Sequence, residues 1–180
     1  MAAAPVLETL RLRLREWREN DLDALAAMLG EPESNRWTTL DGRPSDRISA
    51  WRTLMQMAGQ WRLQGFGMFL IEERETGAFV GRAGAWSPEP GGALELGWGL
   101  SRMHWGKGYA TEAARAAGDW TLARFQPKRF VSRIHAENMR SQNVARRLGE
   151  RPETPTYHIG QPHVIWAVEA ADWRASALRA

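Results

Sequence analysis

The sequence predicts a single α/β domain over residues 1–180, with an antiparallel meander at its middle. Two patterns and one absence predict it. Apolar residues alternate with period two in several short segments, as half-buried strands require. Between those segments they recur every three or four residues, as amphipathic helices require. No repeat, linker or low-complexity tract interrupts the succession, and 180 residues suffice to bury a core without disulfides or metals.

Leu10, Leu12 and Leu14 in "TLRLRLRE" fall on one face of a first strand, with Arg11, Arg13 and Arg15 on the other. Asn20 then offers an N-cap, with Asp21 and Asp23 in the first turn of a helix reaching about Gly30, where "EP" stops it. A loop containing Trp37 follows. "PSDR" opens a second helix whose Ile48, Trp51, Leu54, Met55, Ala58 and Trp61 recur at helical spacing and read as a core stripe. "GFGMFLIEE" and "AFVGRAGAW" are strands joined at the turn "RETG". After a turn at "SPEPGG", "ALELGWGL" is a further strand, and its two glycines signal a bulge or a close backbone approach. The next helix follows "HWGKG" and ends near Phe125–Pro127. "RFVSRIHA" is a strand, and Asn138 or Met139 to Leu148 is a helix with Gly149 as its C-cap. "PHVIWAVEAADW" closes with a strand and a short helix.

Composition narrows the chemistry. The absence of cysteine excludes a disulfide scaffold, a thiol nucleophile and cysteine-ligated zinc. His104, His135, His158 and His163 show no HxxxH or HxH spacing, so no metal is expected. The start lacks a basic region followed by an apolar one, and no window approaches 18 apolar residues; a cytoplasmic protein with no membrane partner is expected. The formal charge of +3 is spread along the chain among acids, without a nucleic-acid-binding pattern, so no nucleic-acid partner is expected. Modest basicity also suits a polyanionic small ligand.

Two stretches carry candidate chemistry. In "HWGKGYATEA", Gly106 and Gly108 stand against a helix start, where the first N–H groups point outward without intrahelical partners. Stripped of side chains, the amides from Gly106 to Thr111 can wrap a phosphate or pyrophosphate, with Lys107 as a cation beside it. A plain turn is the alternative. Ala110, Ala113, Ala114 and Ala117 keep one side of that helix slim. In "AENMRSQNVARRLG", Asn138 and Ser141 are three apart at a helix start and can face the same way; an N-cap Asn with a surface Ser is the alternative.

In their order and spacing these stretches resemble the GNAT superfamily of N-acetyltransferases, and within it the branch that includes the ribosomal-protein N-terminal acetyltransferases. Trp105-Gly106-Lys107-Gly108-Tyr109-Ala110 is similar to the family's acyl-CoA pyrophosphate loop, usually written Q/R-x-x-G-x-G/A, with Trp105 where Gln or Arg is common. "NMRSQNVARRLG" resembles the family's NxxSxxxxxxxG helix. The resemblance spans roughly residues 7 to 173.

The resemblance implies a GNAT-type mixed, mainly antiparallel twisted sheet with a splayed central pair of strands, flanked by helices. The pantetheine arm of acetyl-CoA would lie in the splay against Trp98, Gly99 and Leu100. The loop from Trp105 through Thr111 would hold its phosphates and Asn138 its amide region; Asn143, Arg146 and Arg147 lie further along the helix, where an arginine could reach a CoA phosphate, a solvated face being the other reading. The implied activity is direct acetyl transfer to a primary amine: a protein N-terminus, an amino acid or another small molecule. Glu95 is the implied base, a strand glutamate facing solvent or an arginine partner being the other reading. Ser141 is the implied proton donor to the departing thiolate, since Ala145 stands where many members carry Tyr. Glu150 replaces a usual Phe, a change expected to affect packing alone. Trp37, Trp86, His104, Tyr157, His158 and His163 are the candidates for the acceptor site. A longer acyl-CoA donor, or a catalytically silent CoA-binding sensor, are the alternatives; a monomer or homodimer is expected.

Overall fold

The computed structural model describes residues 4–37, 43–87, 94–158 and 160–177. The amino-terminal alternation yields β1 (Leu7–Glu8) and β2 (Leu12–Arg15), with Leu12 and Leu14 fully buried. Leu10, expected on that face, is 86% exposed. Thr9 causes this: its N–H donates to Leu12 O and its hydroxyl oxygen accepts from Leu12 N–H, closing a tight turn that expels Leu10 from the ladder. Asn20 is not a cap either. Glu19–Asp21 form a 3-10 turn in which the Asp21 carboxylate accepts from Arg18 N–H and pairs with Arg15, and α1 (Leu22–Gly30) follows. Pro32 opens a one-turn helix, α2 (Pro32–Asn35), where a loop was expected.

α3 (Arg47–Gln64) is capped by Asp46, whose carboxylate accepts from Ser49 N–H. Its buried face is Ala50, Leu54, Met57, Gln60 and Trp61, whereas Ile48, Trp51 and Met55 of the expected stripe face solvent. Apolar residues occupy both sides of this helix, so periodicity alone cannot choose. Packing against Leu25, Met28 and Leu29 of α1 makes the choice.

β3 (Met68–Glu73) and β4 (Phe79–Trp86) form the expected hairpin, with Gly77 in the left-handed region its turn requires. β5 (Glu95–Leu100) lies antiparallel on β4; the preceding turn, beyond Ser87, falls outside the described residues. Then come α4 (Tyr109–Phe125), β6 (Arg129–His135), α5 (Met139–Arg147), β7 (Arg151–His158), β8 (Gln161–Glu169) and α6 (Ala170–Ala177). β7 was not read as a strand because Pro152 and Pro155 interrupt it. It is an edge strand whose register shifts between those prolines, and an edge tolerates the missing donors.

The sheet runs β1-β2-β3-β4-β5-β6-β8-β7, antiparallel throughout except between β5 and β6. Those two strands pair only at Glu95 and Val131, then diverge toward Leu100 and His135, while β4 holds β5 over six positions and β8 holds β6 over seven. This is the splayed central pair. One sheet face packs against α4 and α6, where Trp173 lies on Gly118 and its indole N–H donates to Asp119. α1 and α3 cover the other face over β3 and β4.

Candidate active site

Gly106 (φ 76°) and Gly108 (φ 81°) both adopt the left-handed conformation, and Gly108 is the N-cap residue of α4. That conformation costs an L side chain about 1–2 kcal/mol, which is why glycine stands there. The loop is held from a distance. Arg11 donates from Nη1 to Lys107 O, and its Nε and backbone N–H donate to Glu112, which also accepts from the Thr9 hydroxyl. The amides at the start of α4 are thereby aimed outward before any ligand arrives.

They open onto a cavity of about 820 Å³. Trp98, Gly99 and Leu100 of β5 line it, as do Trp105, Gly106, Gly108, Tyr109, Ala110 and Thr111 at the loop and Asn138, Ser141 and Asn143 on α5. The Asn138 side-chain oxygen accepts from Ser141 N–H at 3.1 Å, so the capping role is real. Among the described residues its amide nitrogen and the Ser141 hydroxyl make no hydrogen bond and stay available at the cavity wall. Lys107 and Arg146 do not line the cavity. Lys107 Nζ lies 3.9 Å from Glu73, and Arg146 lies over the Trp166 ring and donates to Asn143. Arg140, which covers the Trp105 ring at 4.4 Å, and Arg147 line it instead. Outward amides, two arginines and a slim Ala110 floor fit the phosphates of CoA, and the strand gap fits an extended arm.

A second constellation occupies the opposite face of the sheet. Strand register puts Trp86, Glu95, Arg133, His135, His158 and His163 on that side. Glu95 Oε1 is 2.5 Å from Arg133 Nη2, and Arg133 Nη1 is 2.6 Å from His158 Nδ1. The His163 ring contacts those of His158 and His135, and Trp37, at the cavity rim, lies 4.3 Å from His135. Burial raises the Glu95 carboxyl above its ordinary range although Arg133 opposes this, and burial with nearby Arg133 lowers His158. A half-buried carboxyl with a raised pKa and a fixed cation is poised to accept and release protons.

Two acceptor candidates lie elsewhere. His104 is buried at the loop end of the cavity, its ring on Tyr109 and its Nε2 3.8 Å from Glu73. Tyr157 is 79% exposed and alternates away from His158. Sequence reasoning missed Arg133 and His135. The alternation of "RFVSRIH" held the signal, since it places both on one side of β6, but only the register shows that this is the side of Glu95.

Residues 11–151 match the acetyltransferase (GNAT) domain family. An uncharacterized N-acetyltransferase, p20, of Bacillus licheniformis is 30% identical over 149 residues, which cover 82% of this chain and 83% of that protein. The crystal structure of an acetyltransferase from Agrobacterium tumefaciens superposes with a TM-score of 0.81 at 30% identity, covering 94% of this chain and 96% of that one. Mycobacterium smegmatis RimJ, in complex with CoA-disulfide, shares the fold at a TM-score of 0.76 and 20% identity, covering 93% of this chain and 88% of that one. No helix among the described residues is long and apolar enough to cross a membrane. The chain belongs to the GNAT family, and the enzyme is an acetyltransferase.

Proposed function

We propose that residues 1–180 act as one domain that transfers an acetyl group from acetyl-CoA directly to a primary amine. One observation carries this reading. A single cavity joins a left-handed glycine cradle at a helix N-terminus to the gap between β5 and β6. Acetyl-CoA, when bound, supplies the acyl group as a thioester.

The chain's own residues do the rest. Amides at the start of α4, with Arg140 and Arg147, hold the phosphates, while Asn138 and the β5 backbone orient the arm. Glu95 takes the proton that an ammonium must lose before its nitrogen can attack, and its raised pKa suits it to that task. Ser141 hands a proton to the departing sulfur. It is favoured over Tyr109, whose hydroxyl donates to Glu73, and over exposed Tyr157. Gly97 lies on the strand between Glu95 and Gly99, and the Met68 side chain packs over it.

Thermal unfolding with acetyl-CoA, ATP or NAD tests the donor. At about 100 times Kd a ligand adds roughly 2.7 kcal/mol, a Tm rise of roughly 5–10 °C for a chain of this size. A rise with acetyl-CoA alone, followed by CoA release with an amine panel, is the expected result. A flat response at saturating acetyl-CoA overturns the reading.

A further inference from the structure

We infer that Arg82 is a carboxylate-binding residue on the acceptor face, and that the amine this enzyme acetylates also bears a carboxylate. The inference rests on the transfer reading above and specifies its acceptor.

Arg82 sits on β4 opposite Gly99 of β5, on the sheet face that carries Glu95. A Cβ on Gly99 would lie 3.6 Å from Arg82 Nε and 3.9 Å from its Cγ. The arginine therefore lies across the glycine, toward the strand that lines the cavity. Among the described residues its guanidinium meets one acceptor, the Met57 thioether sulfur, 3.7 Å from Nη1. A thioether is a weak acceptor and no counterion. Other arginines of the sheet are neutralised: Arg15 pairs with Asp21 and Glu72, and Arg133 with Glu95. A guanidinium does not shed its charge, so holding one half-buried without an anion is unfavourable until a ligand supplies it.

Gln60 points the same way independently. It is 8% exposed, it shares the inner face of α3 with Met57, and neither its amide nitrogen nor its oxygen has a partner among the described residues. Buried polar groups of this kind are rare unless something else pairs with them. The inner face of α3 thus carries an unpaired amide one turn from the methionine whose sulfur is the one acceptor of the Arg82 guanidinium.

The charges are also ordered. Glu95 and Gly99 lie on one face of β5 about 13 Å apart by strand rise, with the Met68 side chain over Gly97 between them. A carboxylate at one end and a guanidinium over the other complement a molecule with an ammonium and a carboxylate at its two ends. A diamine would meet repulsion at Arg82.

The carboxylate can belong to a free ω-amino acid, long enough to reach from Glu95 toward Arg82, or to an acidic side chain near a peptide N-terminus. CoA release is therefore measured for 6-aminohexanoate against 6-aminohexanamide, and for the dipeptide amides Ala-Glu against Ala-Gln. We expect one pair to favour the carboxylate by about 10- to 100-fold in kcat/KM, and the pair that does so identifies the source. Arg82→Gln should bring that ratio close to one through KM, and Arg82→Lys should restore part of it. A ratio near one in the parent enzyme, or a ratio that survives Arg82→Gln, overturns the inference. Calorimetric binding of N-acetyl-6-aminohexanoate against its amide, and of the two acetylated dipeptide amides, gives a readout without turnover. If no amine is acetylated yet a carboxylate product binds through Arg82, the transfer reading falls and the carboxylate site stands. Acetylation without any carboxylate preference leaves the transfer reading and removes the site.

Discussion

Ser132 Oγ lies 2.8 Å from Glu150 Oε1 and 2.8 Å from Leu96 O, linking a buried carboxyl to the point where β5 and β6 part. One hydroxyl proton cannot serve both oxygens. A neutral Glu150 donating to Ser132, which in turn donates to Leu96 O, satisfies the chain. Burial agrees, raising the Glu150 pKa to about 8, with the Ser132 contact opposing it. The residue expected to affect packing alone is a titrating group.

Its folded pKa exceeds the ordinary value of 4.5, so the folded state keeps a proton that the unfolded chain loses. Stability is therefore fully present below about pH 4.5 and falls as pH rises toward 8. Glu150→Gln should flatten that fall. Its Tm at pH 8 should exceed the parent's by roughly 3–10 °C, with the gain vanishing near pH 4.5. Equal slopes of Tm against pH would show that Glu150 is charged in the fold.

Gly108→Val forces a β-branched side chain into a φ of 81°, with its Cβ 3.4 Å from Arg11 Nη2. The strain falls where the α4 amides face the cavity. Acetyl-CoA affinity should weaken by at least about tenfold while the far-ultraviolet spectrum persists. Unchanged affinity by calorimetry would remove the cradle from the site.

Glu95→Gln should slow turnover with little effect on acetyl-CoA affinity. Arg133→Gln is the finer probe, because Arg133 holds the Glu95 pKa down against burial. A base must be ionised to work, so the acid limb of the kcat/KM profile should move to higher pH in Arg133→Gln. A limb that does not move assigns it to another group.

A Cβ on Gly118 would lie 2.3 Å from Trp173 Cζ2, and Trp173 is fully buried. Gly118→Ala should cost about 1–3 kcal/mol through displacement of that indole. The Tm should drop by roughly 3–10 °C with acetyl-CoA affinity retained. An unaltered Tm would show that α6 repacks freely.

The glycine loop and the α5 start that line the cavity were legible because their signals are local, whereas Lys107 and Arg146, expected with them, turn away from it. Gly106 and Gly108 before an alanine-rich helix, and Asn138 with Ser141 at another, each announce a helix start within a few residues. On the opposite face Glu95, Trp37, Trp86, His158 and His163 were named from the sequence, but Arg133, His135 and Arg82 were not, because they join the others only through register. Arg133 reaches Glu95 across two strands 38 residues apart, and Arg82 reaches Gly99 from the strand before. Prolines concealed β7, and with it the place of His158. Ile48, Trp51 and Met55 misled for the opposite reason, a clear helical period with no indication of which side meets α1.

Thr9 and Arg11 clasp Glu112 and the Lys107 carbonyl across about a hundred residues of chain, on the far side of the sheet from Arg82, Glu95, His135, His158 and His163. On the proposed reading the glycine loop is braced from one side of the sheet and the amine is chosen on the other, with β5 serving both. Substitutions around Arg82 and His163 would then redirect the enzyme to a new amine while the clasp keeps the glycine loop in shape. A lineage built this way can diversify its acceptors without relearning its donor.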